Sequence, residues 1–362
     1  MSMIITFLYT KFFLEHIWYI GIIMIDINQY SNISQRALVM QGGASLGAYE
    51  AGVFKAIYEK ITKNKSRNRQ KDKHFFDIVA GTSIGAIHGA IIVNYVVQNT
   101  RKGKSMYESW LGIDKILYDF WQDVSTITWV ELDPTFTFRW NDSRYFYKDM
   151  AKAEAARRYY SVKELLMTGA KNMFSVPSPI PDKKFLDFTN TSYLYNNDPL
   201  RRLLENKYLK DFSLKTEPPE PRLLIVSVDV QEGTTVTFDS YLPKIEYNNH
   251  VIEYSNGITI DHILASASVP VYYNFTTIEA KDSTRKFWDG IILSNTPLRE
   301  LIGRHNVFWK EKIEEKGQDI VLKSIWRNDD NDNNQYNNNI KVPDIDEIHI
   351  VNLWPKKRPN SY

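Results

Sequence analysis

The stretch FFDIVAGTSIGAIHGA, residues 75–90, decides the reading of this chain. Its first part, residues 76–80, is a short apolar run that reads as a buried strand. Gly81-Thr82-Ser83-Ile84-Gly85 then makes a sharp turn, and the small and aliphatic residues after it read as a helix. A G-x-S-x-G pentapeptide means something in this strand-turn-helix context, because its glycines allow a tight turn and leave the serine side chain at the tip. Ser83 is therefore the candidate nucleophile, with Gly81 and Gly85 permitting its elbow. A hydroxyl is a poor nucleophile at neutral pH, so it needs a base to take its proton and donors to hold the oxyanion.

Candidate donors lie upstream. RALVMQ, residues 36–41, reads as a short apolar strand feeding into Gly42-Gly43-Ala44-Ser45-Leu46-Gly47. In the AYEAGVFKAIYEKI that follows, Tyr49, Val53, Ala56 and Ile57 recur at helical spacing, which predicts a second strand-loop-helix unit. Backbone N–H groups at such a helix start point outward and favour negative charge, as an oxyanion hole requires. Two rival readings remain at this stage: a dinucleotide-binding loop and a purely structural glycine turn. The first is weakened by Ala44, which falls at a glycine position of the nucleotide pattern, and it leaves the serine elbow unexplained.

The candidate base lies downstream in KFWDGIILSNTPL, residues 286–298. Asp289 follows a predicted strand and sits beside Gly290, while Asn295, Thr296 and Pro297 open a helix. A carboxylate at a strand end is where an α/β sheet presents catalytic groups, although a helix cap or turn residue has the same look. A serine elbow also directs attention to histidines after the acid, here His305 and His349. His88, about one helical turn beyond Ser83, reads as a packed helix residue.

The 362 residues, 43% of them hydrophobic, suffice for one α/β domain with insertions or for two domains. A net charge of +2, from 45 basic and 43 acidic residues, gives no global field toward nucleic acid. The absence of cysteine removes disulfides and thiol nucleophiles and fits a reducing, cytoplasmic compartment. The seven histidines form no H-E-x-x-H pair, and no metal or other cofactor is expected.

The apolar N-terminal extension, residues 1–30, has three readings: a start mis-assigned ahead of Met24, a membrane-associated anchor, or a helix packed on the body. Lys11, Glu15 and His16 argue against a simple span. Basic residues between 61 and 73 read as a solvated loop or as a patch for anionic headgroups. Residues 105–220 form a long aromatic-rich excursion, expected to act as a cap lining an acyl pocket, with Trp121, Trp129 and Phe174 either lining it or packed as core. A helix is predicted from Asp198, with Pro199 in its first turn. A doubly buried strand is predicted over residues 222–230, a neighbouring strand over 234–238, a helix over 260–267 and a final core strand over 345–353. The polar tract 327–341 reads as a disordered loop, and its likeness to a calcium loop fails at the missing turn glycine and at Lys341.

Four segments together, QGGASLGAYEAGV (41–53), GTSIGAI (81–87), LASASVP (264–270) and WDGIILSNTPL (288–298), resemble the patatin-like phospholipase family. The resemblance implies a three-layer α/β fold, with a mostly parallel sheet between helices, over residues 34–356. It implies Ser83 as nucleophile and Asp289 as its base without a histidine. It assigns the oxyanion hole to Gly42, Gly43 and Ala44, with Gly47, Gly81, Gly85 and Gly290 as supporting glycines. Ala44 departs from the family's glycine run, and Ser45 and Leu46 stand where many members carry a basic residue. The implied activity is calcium-independent hydrolysis of a phospholipid or other lipid ester through an acyl-enzyme, with transient contact at a membrane surface. A soluble serine esterase or thioesterase, and a non-catalytic lipid-binding protein on the same fold, are the alternatives.

Overall fold

The computed structural model describes residues 34–63, 73–125, 169–176, 193–281, 283–316 and 342–353. The N-terminal extension, most of the basic connection, Trp129, the polar tract 327–341 and residues 126–168 and 177–192 of the aromatic excursion lie outside the described residues.

The chain opens with β1 (Ser34–Met40), whose last four residues are wholly buried, as a strand covered on both faces requires. The glycine loop and a 3-10 turn (Ala44–Leu46) lead into α1 (Gly47–Lys63). β2 (Ile78–Thr82) and α2 (Ile84–Arg101) flank the serine elbow, and α3 (Ile113–Val124) follows. A small hairpin, β3 (Gly169–Ala170) and β4 (Phe174–Ser175), precedes α4 (Asp198–Leu203), which carries proline in its first turn. Then come β5 (Arg222–Asp229), β6 (Thr234–Asp239), β7 (Lys244–Tyr247), β8 (His250–Glu253) and α5 (Ile260–Ala267). The last elements are β9 (Thr276–Glu279), β10 (Thr284–Asp289), α6 (Leu298–Lys316) and β11 (Asp344–Val351).

These elements divide into two compact units. The larger contains a seven-stranded sheet in the order β11-β1-β2-β5-β10-β9, with β6 also paired to β5. Pairing is parallel from β11 through β5 and antiparallel for β10, β9 and β6. One face is a core of Ala37, Val39, Ile78, Ala80 and Leu224, onto which α6 sets Leu301. On the opposite face α2 lies close, its Gly89 set against the side chains of Val79 and Leu223. This is the expected α/β arrangement of a mixed, mostly parallel sheet with helices on both faces. Among the described residues β11 pairs only with β1, so the predicted final core strand is an edge strand there, half-buried along most of its length.

All eight residues of β5 are buried, and this strand organises the sheet. β6 runs along one edge of β5, opposite residues 224–229. The other edge is shared: β2 occupies it opposite residues 222–226, and β10 opposite residues 227–229. Because β2 is parallel and β10 antiparallel, the two strands approach from opposite directions and their C-terminal ends meet.

The smaller unit comprises residues 118–211 and 268–275. Within it Phe174 packs on Tyr195 and Tyr273, with ring centroids 4.6 and 6.0 Å apart. Asp123 accepts hydrogen bonds from Lys207 and from the Tyr208 hydroxyl, both at 2.5 Å. Trp121 and Phe174, both predicted pocket or core residues, are half-buried in this unit.

The helix predicted after the glycine loop is present, but its buried face is not the apolar stripe of Tyr49, Val53, Ala56 and Ile57. The buried residues of α1 are Gly47, Glu50, Phe54 and Ile61, while Tyr49 is 58% exposed. The physical reason is a partner for the polar side chain: Glu50 turns inward to meet His88 on α2.

Candidate active site

Ser83 joins β2 to α2 with φ 56° and ψ −122°, a backbone region that costs a residue with a side chain on the order of 1–3 kcal/mol. Its neighbours hold it there. The Ser83 N–H donates to Ser266 Oγ at 2.9 Å, and the Ser266 hydroxyl donates to the Val226 carbonyl at 2.6 Å, tying the elbow to β5 through α5. The Ser83 carbonyl accepts from the Ala86 and Ile87 N–H groups at 2.9 and 3.2 Å, which starts α2 immediately. The two motif glycines have no room for a side chain: a Cβ on Gly81 would overlap the Gly85 carbonyl, and one on Gly85 would overlap the Met40 carbonyl.

Asp289 ends β10. It lies opposite Ser227 of β5, one residue beyond Val226, which lies opposite Thr82. Ser83 and Asp289, 206 positions apart in the chain numbering, are thereby brought together at the junction of the two strands. The Asp289 side chain is fully buried, and its Oδ1 accepts the Ile291 N–H at 2.9 Å. Burial pushes the carboxyl up to about 7, and the Ser83 hydroxyl and the Ile291 N–H oppose that rise. Oδ2 makes no hydrogen bond of full geometry, so the Ser83 hydroxyl approaches the carboxyl without closing a tight bond on it. Catalytic hydrogen bonds are commonly loose in this way before substrate binds.

The glycine loop passes directly beside the serine. A Cβ on Gly42 would stand 3.1 Å from Ser83 Cβ and would overlap Asn295 Oδ1. The Gly42 N–H donates to the Asn295 carbonyl at 3.2 Å and is therefore committed. Among the described residues, no backbone carbonyl accepts from the Gly43 or Ala44 N–H. Gly43 is extended, whereas Ala44 takes the left-handed φ of 48°. Gly47 closes the following turn by donating to the Ala44 and Ser45 carbonyls.

Further bonds fasten the loops. Gln41 donates through Nε2 to Thr296 Oγ1 at 2.9 Å and accepts the Leu353 N–H on Oε1 at 2.7 Å. The Thr82 hydroxyl donates to the Ser294 carbonyl at 2.9 Å, and Gly290 lies so close that a Cβ would overlap the Val226 carbonyl. The three histidines raised by the sequence are engaged elsewhere. His305 Nε2 bonds the Pro343 carbonyl at 2.7 Å, with burial pushing its imidazole down to about 4. His349 Nε2 bonds Glu347 at 2.6 Å, and His88 Nδ1 meets Glu50 at 2.7 Å.

The family model of patatin-like phospholipase matches residues 38–302, most of the chain and the whole span from glycine loop to aspartate. The chain belongs to the patatin-like phospholipase family. No curated protein sequence matches the chain. A solved structure, VipD from Legionella pneumophila, aligns at 16% identity and a TM-score of 0.31 over 73% of this chain and 47% of that one. This chain thus spans about half the length of that protein. Among the described residues of this patatin-like chain, no cluster of three or more His, Cys, Asp or Glu could hold a metal ion. No helix among them is long and apolar enough to cross a membrane.

Three residues of the patatin-like site carry no chemical signal of their own in the sequence. Ser266 lies inside LASASVP, a segment that contributes to the family resemblance, but nothing in that segment says that its hydroxyl receives the Ser83 N–H. Gln41 and Asn295 lie inside two of the quoted motifs, but long-range bonds between the loops give them their roles.

Proposed function

We propose that this protein hydrolyses lipid esters through a Ser83–Asp289 dyad. Asp289 accepts the Ser83 proton as the hydroxyl attacks the ester carbonyl. The oxyanion is held by the N–H groups of Gly43 and Ala44, while Gly42, its own N–H bonded to Asn295, keeps the loop against the serine. Asp289 returns that proton to the departing alkoxide, so an alcohol leaves and an acyl-enzyme remains, and the regenerated carboxylate then activates the water that releases the acid. The observation that carries this reading is the meeting of β2 and β10 on one edge of β5, which sets a buried carboxyl titrating at about 7 beside an elbow serine. A base with a pKa near the working pH is the efficient one.

Lipid as the substrate is supported by family membership and by the residues that follow the two catalytic segments. Leu46 and Tyr49 after the glycine loop, and Ile291, Ile292 and Leu293 after Asp289, are exposed apolar side chains. A protein acting on aggregated lipid gains from such residues, because burying them in acyl chains is favourable by roughly 25 cal/mol per Å². In this proposal contact with the membrane is peripheral and transient.

The test is fatty-acid release from mixed phospholipid vesicles in the presence of a chelator, with Ser83→Ala alongside. Release by the wild type and none by the folded variant is the expected result. Equal rates on a dispersed short-chain ester and on vesicles would favour a soluble esterase, and release by Ser83→Ala would remove the nucleophile from the account.

A further inference from the structure

Glu50 and His88 are fully buried, with Nδ1 and Oε2 2.7 Å apart, and the mechanism above does not use either. Their positions are informative. Glu50 lies in the first turn of α1, the helix that follows the glycine loop, and His88 lies near the start of α2, the helix that follows Ser83. At the end of α1 next to the loop the buried residues are Gly47 and Glu50, so the buried side chain there is a polar one. The Gln41 N–H, just ahead of the loop, faces the same Glu50 carboxyl. Burial pushes that carboxyl up, and His88 and the Gln41 N–H pull it back.

We propose that Glu50 and His88 are positioning residues that fix the distance between the oxyanion-binding glycine loop and the Ser83 elbow; the inference rests on the hydrolase reading above. One carboxyl bonds the helix after Ser83 through Oε2 and faces the Gln41 N–H ahead of the loop without a hydrogen bond of full geometry on Oε1, which places it between the two halves of the site. Oxyanion donors act only when about 2.7–3.1 Å from the developing charge. A drift of about 1 Å between loop and elbow costs on the order of 10²-fold in rate. A buried polar pair is weak evidence for stability, since replacing both partners together by apolar groups can be nearly neutral. The positioning reading therefore separates activity from stability.

The experiment replaces both partners, Glu50→Leu with His88→Leu, and measures kcat, KM, the second-order rate of fluorophosphonate labelling and Tm. The expected result is a folded protein with Tm within a few degrees of wild type, KM within about 3-fold, and kcat and labelling about 100-fold lower. Glu50→Gln, which keeps an acceptor in the same place, should recover the rate to within about 10-fold of wild type. Wild-type kcat in the double variant would overturn the inference and leave the pair a packing feature. Should the double variant not fold, Glu50→Ala is predicted to show the same 100-fold order of loss, and an unchanged kcat there would overturn it equally. A wild type that neither labels nor turns over would overturn the dyad itself, and this inference with it.

Discussion

Thr82 and Asp289 stand next to one another along a single edge of β5, opposite Val226 and Ser227. One ends a parallel strand and the other an antiparallel strand, so neither chain segment blocks the other and both turn off the sheet at the same point. The buried strand thus acts as a ruler for the site. Its register sets the approach of Ser83, the next residue after Thr82, to the Asp289 carboxyl.

Activity should follow the ionisation of Asp289. With the carboxyl at about 7, kcat/KM is expected to climb about tenfold per pH unit on the acid side and to level off above about pH 8. Stability should move the other way. A folded pKa raised above the ordinary value of 3.8 means that the native state holds the proton more tightly. That stabilisation is complete below about pH 4 and is lost as pH rises through about 7. Asp289→Asn should abolish turnover and be more stable than wild type by up to about 4 kcal/mol at pH 8, with a smaller gain at pH 5. Urea denaturation at the two pH values measures this, and an equal gain at both would contradict the assignment.

Backbone strain at the two loops should be separable from chemistry. Ser83 has φ 56° and Ala44 φ 48°, conformations that glycine adopts without penalty. Ser83→Gly is expected to be about 1 kcal/mol more stable than Ser83→Ala, with both inactive. Ala44→Gly should stabilise by about 1 kcal/mol while keeping or raising turnover. Chemical denaturation beside a steady-state assay reads both effects.

Substitutions at two glycines should fail differently. A methyl on Gly85 overlaps the backbone carbonyl of Met40, so Gly85→Ala is expected to cost about 3 kcal/mol or more, or to prevent folding. A methyl on Gly42 overlaps the end of the Asn295 side chain, which can swing away, and sits 3.1 Å from Ser83 Cβ. Gly42→Ala should fold, with Tm close to wild type, and lose about 10²-fold in acylation rate.

Ser266→Ala removes the acceptor of the Ser83 N–H and the donor to Val226 at once. The buried groups left unpaired should lower stability by about 1–3 kcal/mol, and labelling of the folded variant should slow as the elbow loosens. Unfolding and labelling rate measured on one preparation test both halves.

The features legible in the sequence are those set by neighbours in the chain. The apolar run before Gly81 and the small residues after Gly85 give the strand-turn-helix about Ser83, and the glycine run after Met40 gives the loop. Asp289 is visible as a carboxylate at a strand end. What brings Asp289 to Ser83 is not visible, because the register of β10 on β5 is a long-range pairing that hydrophobic pattern leaves open. The same limit explains α1, where apolar periodicity selects Tyr49 and Val53 although Glu50 is buried. Glu50 faces inward only because His88, 38 residues away, is there to receive it.

The most direct measurement is fluorophosphonate labelling of the purified protein beside Ser83→Ala and Asp289→Asn, each shown to be folded. The account predicts stoichiometric labelling of the wild type at Ser83, none in Ser83→Ala, and a rate reduced by at least about 10²-fold in Asp289→Asn. Labelling at wild-type rate in folded Asp289→Asn, or no labelling of a folded wild type that admits the probe, would contradict it.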